Sequence, residues 1–181
     1  MTTLRLILGD QLNPEHSWFT APDDNTVYVL MEVRQETDYV LHHAQKIIAI
    51  FAAMRDFARQ MSISGHRVHY LAIDDPANRQ SLPANLDALI AHYSARAFEY
   101  QAPDEWRLDR QLADCASQLA IPGRMVDSEH FYTRRDEAAL AAFLDGAPGK
   151  ITTLYRRDRE MVIRVRDLLR AALPDTLSLD D

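Results

Sequence analysis

Short branched apolar segments alternate with longer segments of helical period, and this alternation most constrains the fold. Leu4 to Leu8 and Val27 to Val33 are apolar runs that end in polar residues. Runs of this length are typical of strands buried on both faces of a parallel sheet. After the second run, apolar residues recur at spacings of three and four, the period of a helix packed on one side. The alternation predicts an α/β fold with a parallel sheet, helices on both faces and right-handed crossovers.

The same patterns predict the elements along the chain. A long helix is expected to open at Asp38 and to stop at Gly65, because glycine favours helix C-termini. Pro83 fits the first turn of the next helix, and Asp104 is a candidate N-cap for the one after it. The remaining predicted strands are 67–73, 97–101 and 123–126, and the remaining predicted helices are 138–144 and 153–172.

The predicted fold is therefore a Rossmann-like, doubly wound and mainly parallel five-stranded sheet. We expect residues 1–150 to form this domain. Residues 151–181 would form a basic helix with an acidic tail. A chain of 181 residues fits one main hydrophobic core.

Composition and charge exclude several kinds of protein. The single cysteine, Cys115, rules out an internal disulfide and a cluster held by four thiolates of this chain. No apolar run has the roughly 20 residues that a membrane helix needs, and the first residues do not resemble a secretory leader, so a cytoplasmic location is the default expectation. The net charge of −7 argues against direct DNA binding by the surface as a whole.

Basic residues are nevertheless concentrated near the C-terminus. Residues 150–170 contain seven lysines and arginines against three aspartates and glutamates. Such a run is usually a solvated helix face or a seam to another domain, and nucleic-acid contact is the less favoured alternative.

Three polar loops follow predicted strands, at the edge where open parallel sheets bind ligands. They begin at Gly9, Arg34 and Gln101. Gly9 is not followed by the further glycines of a phosphate-binding loop, so a dinucleotide or nucleoside triphosphate is disfavoured. Carboxylates, amides and apolar side chains suit a flat, neutral, hydroxyl-bearing molecule better.

Catalytic and metal sites have weaker support. His42 and His43 are neighbours whose side chains would point about 100° apart on a helix, which disfavours a shared metal ion. Glu32 and Glu36 could form an acid–base pair, but ligand anchoring or helix capping is equally compatible with their positions. Cys115 falls on an apolar helix face and is interpreted as a buried structural thiol.

Several segments, taken in order, resemble the photolyase-related proteins known as iron–sulfur bacterial cryptochromes and photolyases. The resemblance runs from residue 3 to about residue 146. It rests on Leu6 to Leu12, Glu32-Val33 with Glu36, Tyr39-Val40 with His42-His43, Lys46-Ile47, Met54-Arg55, Phe57-Ala58, Gly65 to Val68, Asp74-Asp75 and Glu105-Trp106-Arg107.

This resemblance implies an antenna domain that binds 6,7-dimethyl-8-ribityllumazine, absorbs blue light and passes excitation to a flavin. By position, Glu36 would hydrogen-bond the chromophore and Ile50 would pack against its ring. Lys46, one turn before Ile50 on the long helix, would also belong to the pocket. The other implied pocket residues follow the first, second and fourth strands; they are Gly9, Asp10, Gln11, Glu32, Val33, Glu105 and Trp106. For Trp106, cover of the sheet edge is the favoured alternative to stacking on a ligand.

The resemblance also sets an expectation about what this sequence does not contain. Full-length relatives continue into a domain that holds FAD and a [4Fe–4S] cluster, and neither is recognisable here. We therefore expect no DNA repair from this chain alone, with a separate flavin-binding domain or protein as a possible partner. Two alternatives remain: an interaction module with a vacant pocket that works through its basic last helix, and a small α/β hydrolase or transferase with Glu36 or Asp10 as base.

Overall fold

The computed structural model describes residues 1–130, which form a sheet of five parallel strands in the order β3-β2-β1-β4-β5. The strands are β1 (Thr3–Leu6), β2 (Thr26–Met31), β3 (Val68–Leu71), β4 (Ala97–Gln101) and β5 (Gly123–Val126). The helices are α1 (Arg34–Thr37), α2 (Ala44–Ile63), α3 (Leu82–Tyr93) and α4 (Trp106–Gln118), with a 3-10 turn at Ser17–Phe19. The strand order reverses between β1 and β4, as in a doubly wound fold, so the predicted fold class is confirmed.

Two apolar layers hold the helices to opposite faces of the sheet. On one face, Leu4 and Phe98 of the strands pack in the same cluster as Leu86 of α3 and Leu112 of α4. On the other face, Tyr28 and Leu30 of β2 and Ile7, which follows β1 directly, cluster with Met54 and Phe57 of α2. Burial of both faces explains why β2 is apolar from Val27 to Met31, whereas β1 also carries the half-buried Arg5, which donates to Glu99.

Three strands are shorter than the sequence predicts, whereas β4 and β5 have the predicted bounds. β1 ends at Leu6 rather than Leu8, and β2 ends at Met31 rather than Val33. β3 spans Val68–Leu71 instead of 67–73. At the end of β1, the backbone N–H of Leu8 donates to the side-chain Oε1 of Gln11 at 3.0 Å instead of to a neighbouring strand.

The long helix begins six residues later than predicted. α2 starts at Ala44, because the His43 side chain accepts a hydrogen bond from the Gln45 N–H and acts as the N-cap. Asp38 instead ends α1, and its N–H donates to the Arg34 carbonyl. The predicted C-terminal stop is confirmed: α2 ends at Ile63, and Gly65 has a φ of 91°, the left-handed conformation that favours glycine.

The predicted N-cap of α4 is wrong. α4 starts after Glu105, with no side-chain cap, and Asp104 lies 3.3 Å from His130 instead. Pro83 does occupy the first turn of α3, as predicted. Within residues 1–130, no helix is long and apolar enough to cross a membrane. The predicted helices 138–144 and 153–172 and the boundary near residue 150 lie outside the described residues.

Candidate ligand-binding site

A cavity of about 490 Å³ opens at the carboxyl ends of β1 and β2. It lies beside the reversal of strand order, where doubly wound sheets bind ligands. Its volume is within the roughly 300–1,000 Å³ of small-molecule sites. The lining residues are Leu6, Ile7, Leu8, Gly9, Asp10, Met31, Val33, Glu36, Thr37, Tyr39, His42, Lys46, Ile47, Ile50, Phe51, Met54, Leu82, Glu105 and Leu108.

The inner wall of the cavity is apolar. The ends of β1 and β2 contribute Leu6 and Met31, and α2 contributes Ile47, Ile50 and Met54. These α2 residues reach one wall because residues three and four apart share a helix face. The periodic apolar residues from which the helix was predicted therefore also form one side of the cavity.

Gly9 allows the loop after β1 to approach α2 closely. A Cβ atom at this position would lie 3.0 Å from Cγ2 of Ile50 and 3.1 Å from Sδ of Met54. Any side chain here would press on the helix residues that line the cavity. The absence of a Cβ thus keeps the cavity wall in place.

A charged cluster forms one part of the cavity rim. Arg107, in the first turn of α4, donates to both carboxylate oxygens of Glu36, at 3.2 and 2.7 Å. It also donates to both oxygens of Glu105, at 2.8 and 3.2 Å. The Tyr39 ring lies 4.1 Å from the guanidinium carbon, within the range of a cation–π contact. The cluster joins the segment after β2 to the start of α4.

Asp10 and Lys46 occupy other positions on the rim. The pKa of Asp10 is raised, first because the protein partly removes its carboxylate from water and second because the carboxylates of Asp104 and Glu105 are near. The Lys46 side chain is exposed on the first turns of α2. His42 also lines the cavity and lies edge-on to the ring of Tyr39.

Seven of the ten predicted site residues line this cavity: Gly9, Asp10, Val33, Glu36, Lys46, Ile50 and Glu105. Gln11 does not line the cavity; it is buried, and its side-chain N–H₂ donates to the carbonyls of Gln101 and Ala102. Glu32 is fully buried against Arg55 and Tyr70. Both of these side chains are engaged by the protein itself.

Trp106 is not among the lining residues and is 73% exposed, with Arg110 near its ring.

Sequence reasoning gave no role to Arg107, although it directly follows the predicted residues Glu105 and Trp106. The sequence signal that could have indicated Arg107 was an arginine among loops rich in carboxylates.

Within residues 1–130, no group of three or more His, Cys, Asp or Glu side chains is arranged to hold a metal ion.

Comparison with known proteins gives the family. A family model described as deoxyribodipyrimidine photo-lyase-related protein matches residues 5–163. The chain belongs to this photolyase-related family. A relative named (6-4) photolyase, from Agrobacterium fabrum (strain C58 / ATCC 33970), is 34% identical over 138 residues, which cover 76% of this chain. The match spans 27% of that relative, so the photolyase-related chain corresponds to about a quarter of it.

The free thiol of this photolyase-related protein lies away from the cavity. Cys115 is buried on the face of α4 that packs against the sheet, as the sequence predicts. Burial, with a smaller contribution from Asp87, raises the pKa of the thiol. A higher pKa leaves less of the reactive thiolate, which fits a structural role.

Proposed function

We propose that the cavity binds an antenna chromophore of the lumazine type, 6,7-dimethyl-8-ribityllumazine. The observation that carries the proposal is one cavity of suitable volume with an apolar wall and a carboxylate-rich rim, in a protein of the photolyase-related family. A flat ring system needs apolar walls, whereas a ribityl chain needs hydrogen-bond acceptors and donors.

The apolar wall and the polar rim would contact different parts of the chromophore. Ile50, with Ile47 and Met54, would pack against the chromophore ring and exclude water. Glu36 would accept a hydrogen bond from the chromophore, and Asp10 and Glu105 on the rim would bond the ribityl hydroxyls. Lys46 would supply a donor at the outer end of the cavity.

When bound, the chromophore would absorb blue light and pass the excitation to a flavin in a partner domain or protein. The photolyase-related chain would thereby serve blue-light sensing or light-driven DNA repair. The residues of this chain would hold the chromophore in a fixed orientation, which energy transfer requires.

The geometry favours binding over acid–base catalysis by Glu36. Both oxygens of its carboxylate already accept hydrogen bonds from Arg107. A proton taken up by Glu36 would cancel the charge of this pair and weaken both hydrogen bonds. The hydrolase or transferase alternative therefore rests on Asp10. The interaction-module alternative rests on basic residues that lie outside the described residues.

Titration with 6,7-dimethyl-8-ribityllumazine tests the proposal, followed by the fluorescence and absorption of the chromophore. We expect saturable binding by the wild-type protein. Ile50→Trp should abolish it by filling the cavity, and Glu36→Gln should weaken it about tenfold through loss of a charged acceptor.

Two matched variants control for general damage. Ile48→Trp adds the same side chain at a position on α2 that is 67% exposed and does not line the cavity. Glu15→Gln makes the same charge change at an exposed loop residue. Both should bind like the wild type. No saturable binding by the wild type, or equal loss in Ile48→Trp and Ile50→Trp, would refute the proposed site.

A further inference from the structure

We infer that Arg107 is the positioning residue of this site, which fixes the carboxylate of Glu36 as a hydrogen-bond acceptor for the ligand. The inference rests on the proposed function and adds a residue to it. Arg107 does not itself line the cavity, so it acts through Glu36.

The contact between the two side chains is of the fork type. Two different guanidinium nitrogens bond the two oxygens of Glu36, with the shorter distance, 2.7 Å, between Nη2 and Oε2. Pairs of this kind fix orientation as well as distance, because the planar donor group matches the planar carboxylate. The side chains of Arg107 and Glu36 are 32% and 26% exposed, so water competes only partly for the pair.

Arg107 is itself held on two further sides. Both oxygens of Glu105 accept from it, and the ring of Tyr39 covers the guanidinium. These contacts reinforce the charged form, and hydrogen bonding to Glu36 followed by Glu105 raises the pKa of Arg107 further. These contacts restrict the guanidinium to an orientation in which it faces Glu36.

Gln35 also donates to Glu36. Its side-chain amide donates to Oε1 of Glu36 at 3.3 Å and to Oε1 of Gln111 at 2.7 Å. Its own Oε1 accepts from the backbone N–H of Leu82 at the start of α3. Oε1 of Glu36 thus has two donors, whereas only Arg107 donates to Oε2 within residues 1–130.

This arrangement leaves an acceptor position for a ligand. A carboxylate has about four lone-pair positions, two on each oxygen, and Oε2 uses one of its two. Without Arg107, the carboxylates of Glu36 and Glu105 would share the rim with no cation between them. Their repulsion would turn Glu36 out of its present orientation, and the ligand would lose its acceptor.

The test is a double-mutant cycle in the full chain, with the affinity for 6,7-dimethyl-8-ribityllumazine and the absorption maximum of the bound chromophore as readouts. Arg107→Met should weaken binding about tenfold, as much as Glu36→Gln. It should also shift the absorption maximum in the same direction as Glu36→Gln. The double variant should bind no more weakly than Glu36→Gln alone, because residues that act as a unit are not additive.

Conservative and matched variants complete the experiment. Arg107→Lys keeps the positive charge but not the paired hydrogen bonds of the guanidinium, so it should bind the chromophore more tightly than Arg107→Met but less tightly than the wild type. Arg110→Met removes an arginine of the same helix that lies near Trp106, and its binding should match the wild type. Thermal unfolding of each variant checks that it is folded.

The possible failures are distinguishable. If the wild type binds and folded Arg107→Met binds equally well, the positioning role is wrong and the proposed function stands. The positioning role is also wrong, with the proposed function intact, if the losses from Arg107→Met and Glu36→Gln simply add. If the wild type does not bind the chromophore, the proposed function is wrong and the positioning role falls with it.

Discussion

The guanidinium of Arg55 bonds both oxygens of the fully buried carboxylate of Glu32, with Nε–Oε1 at 2.6 Å and Nη2–Oε2 at 2.8 Å. The Tyr70 hydroxyl donates to the same carboxylate, and so does the N–H of Ile73. Glu32 follows β2, Arg55 lies on α2, and Tyr70 lies on β3. The carboxylate therefore ties α2 to the edge of the sheet.

Removal of the Arg55 side chain should destabilise the fold. Arg55→Met leaves a buried carboxylate with two donors in place of four, and we expect a loss of about 2 kcal/mol in the free energy of unfolding. This figure is below the roughly 3–5 kcal/mol of fully buried pairs, because the Arg55 side chain is 54% exposed and water replaces part of the interaction. Urea unfolding followed by circular dichroism measures the change.

A second arginine on the same helix is the matched control. Arg59 pairs with Asp56, and both side chains are more than half exposed. Arg59→Met should change the free energy of unfolding by less than about 0.5 kcal/mol. Equal losses in the two variants would contradict a special role for the buried carboxylate.

Glu32 should also make stability depend on acid pH. Burial opposes its ionisation, but hydrogen bonds from Arg55, Tyr70 and Ile73 outweigh this effect and lower its pKa below the ordinary 4.5. A lowered pKa stabilises the fold above the unfolded value, and this contribution is lost as pH falls through the folded value. Wild-type stability should therefore fall below pH 4.5 more steeply than that of Glu32→Gln.

The measurement is the free energy of unfolding at neutral pH and in steps through the acid range. Arg55→Met is a second variant for the same series, since it removes the largest favourable contribution to the ionised form. Curves for wild type, Glu32→Gln and Arg55→Met that run parallel through this range would show that Glu32 does not cause the acid sensitivity.

Gln11 should matter for stability and not as a ligand contact. Its Oε1 accepts from the N–H of Leu8, and its Nε2 donates to the carbonyls of Gln101 and Ala102. Gln11→Leu leaves these buried backbone groups without their partner, at a cost of about 2 kcal/mol in the free energy of unfolding. Gln118→Leu, at an exposed position, should cost almost nothing. A folded Gln11→Leu protein that retained full stability would refute this role.

Gly9→Ala should disturb the cavity wall. The new Cβ would meet the side chains of Ile50 and Met54 at about 3.0 Å, so these side chains must move slightly. We expect several-fold weaker lumazine binding and a loss of about 1 kcal/mol in the free energy of unfolding. Gly65→Ala is the control, because it strains a φ of +91° beyond the far end of α2 and should lose similar stability without loss of affinity. Unchanged affinity in Gly9→Ala would contradict the assigned wall.

Cys115 should react slowly in the folded protein. It is 8% exposed, and burial raises the pKa of its thiol. Because the thiolate is the reacting form, Ellman's reagent should label the native protein more slowly than the urea-unfolded protein, by about tenfold or more. Equal rates in the two states would show that the thiol is accessible and would reopen a reactive role.

Local patterns predicted several element bounds correctly. β4 and β5 have the predicted bounds, and the stop of α2 at Gly65 follows from the conformational freedom of glycine. The start of α2 was missed because His43 caps it. Asp38, the stronger N-cap by residue type, instead ends a short helix.

The sequence by itself determined the parallel sheet, the helices on both faces and the apolar stripe of α2, because each follows from the spacing of neighbouring residues. Only the tertiary structure decided the different surroundings of Glu32 and Glu36, which lie four residues apart after the same strand. The arginine that bonds Glu32 is 23 residues away and the arginine that bonds Glu36 is 71 residues away. A carboxylate becomes structural or available to a ligand through burial and through the donors that reach it, and the folded backbone sets both.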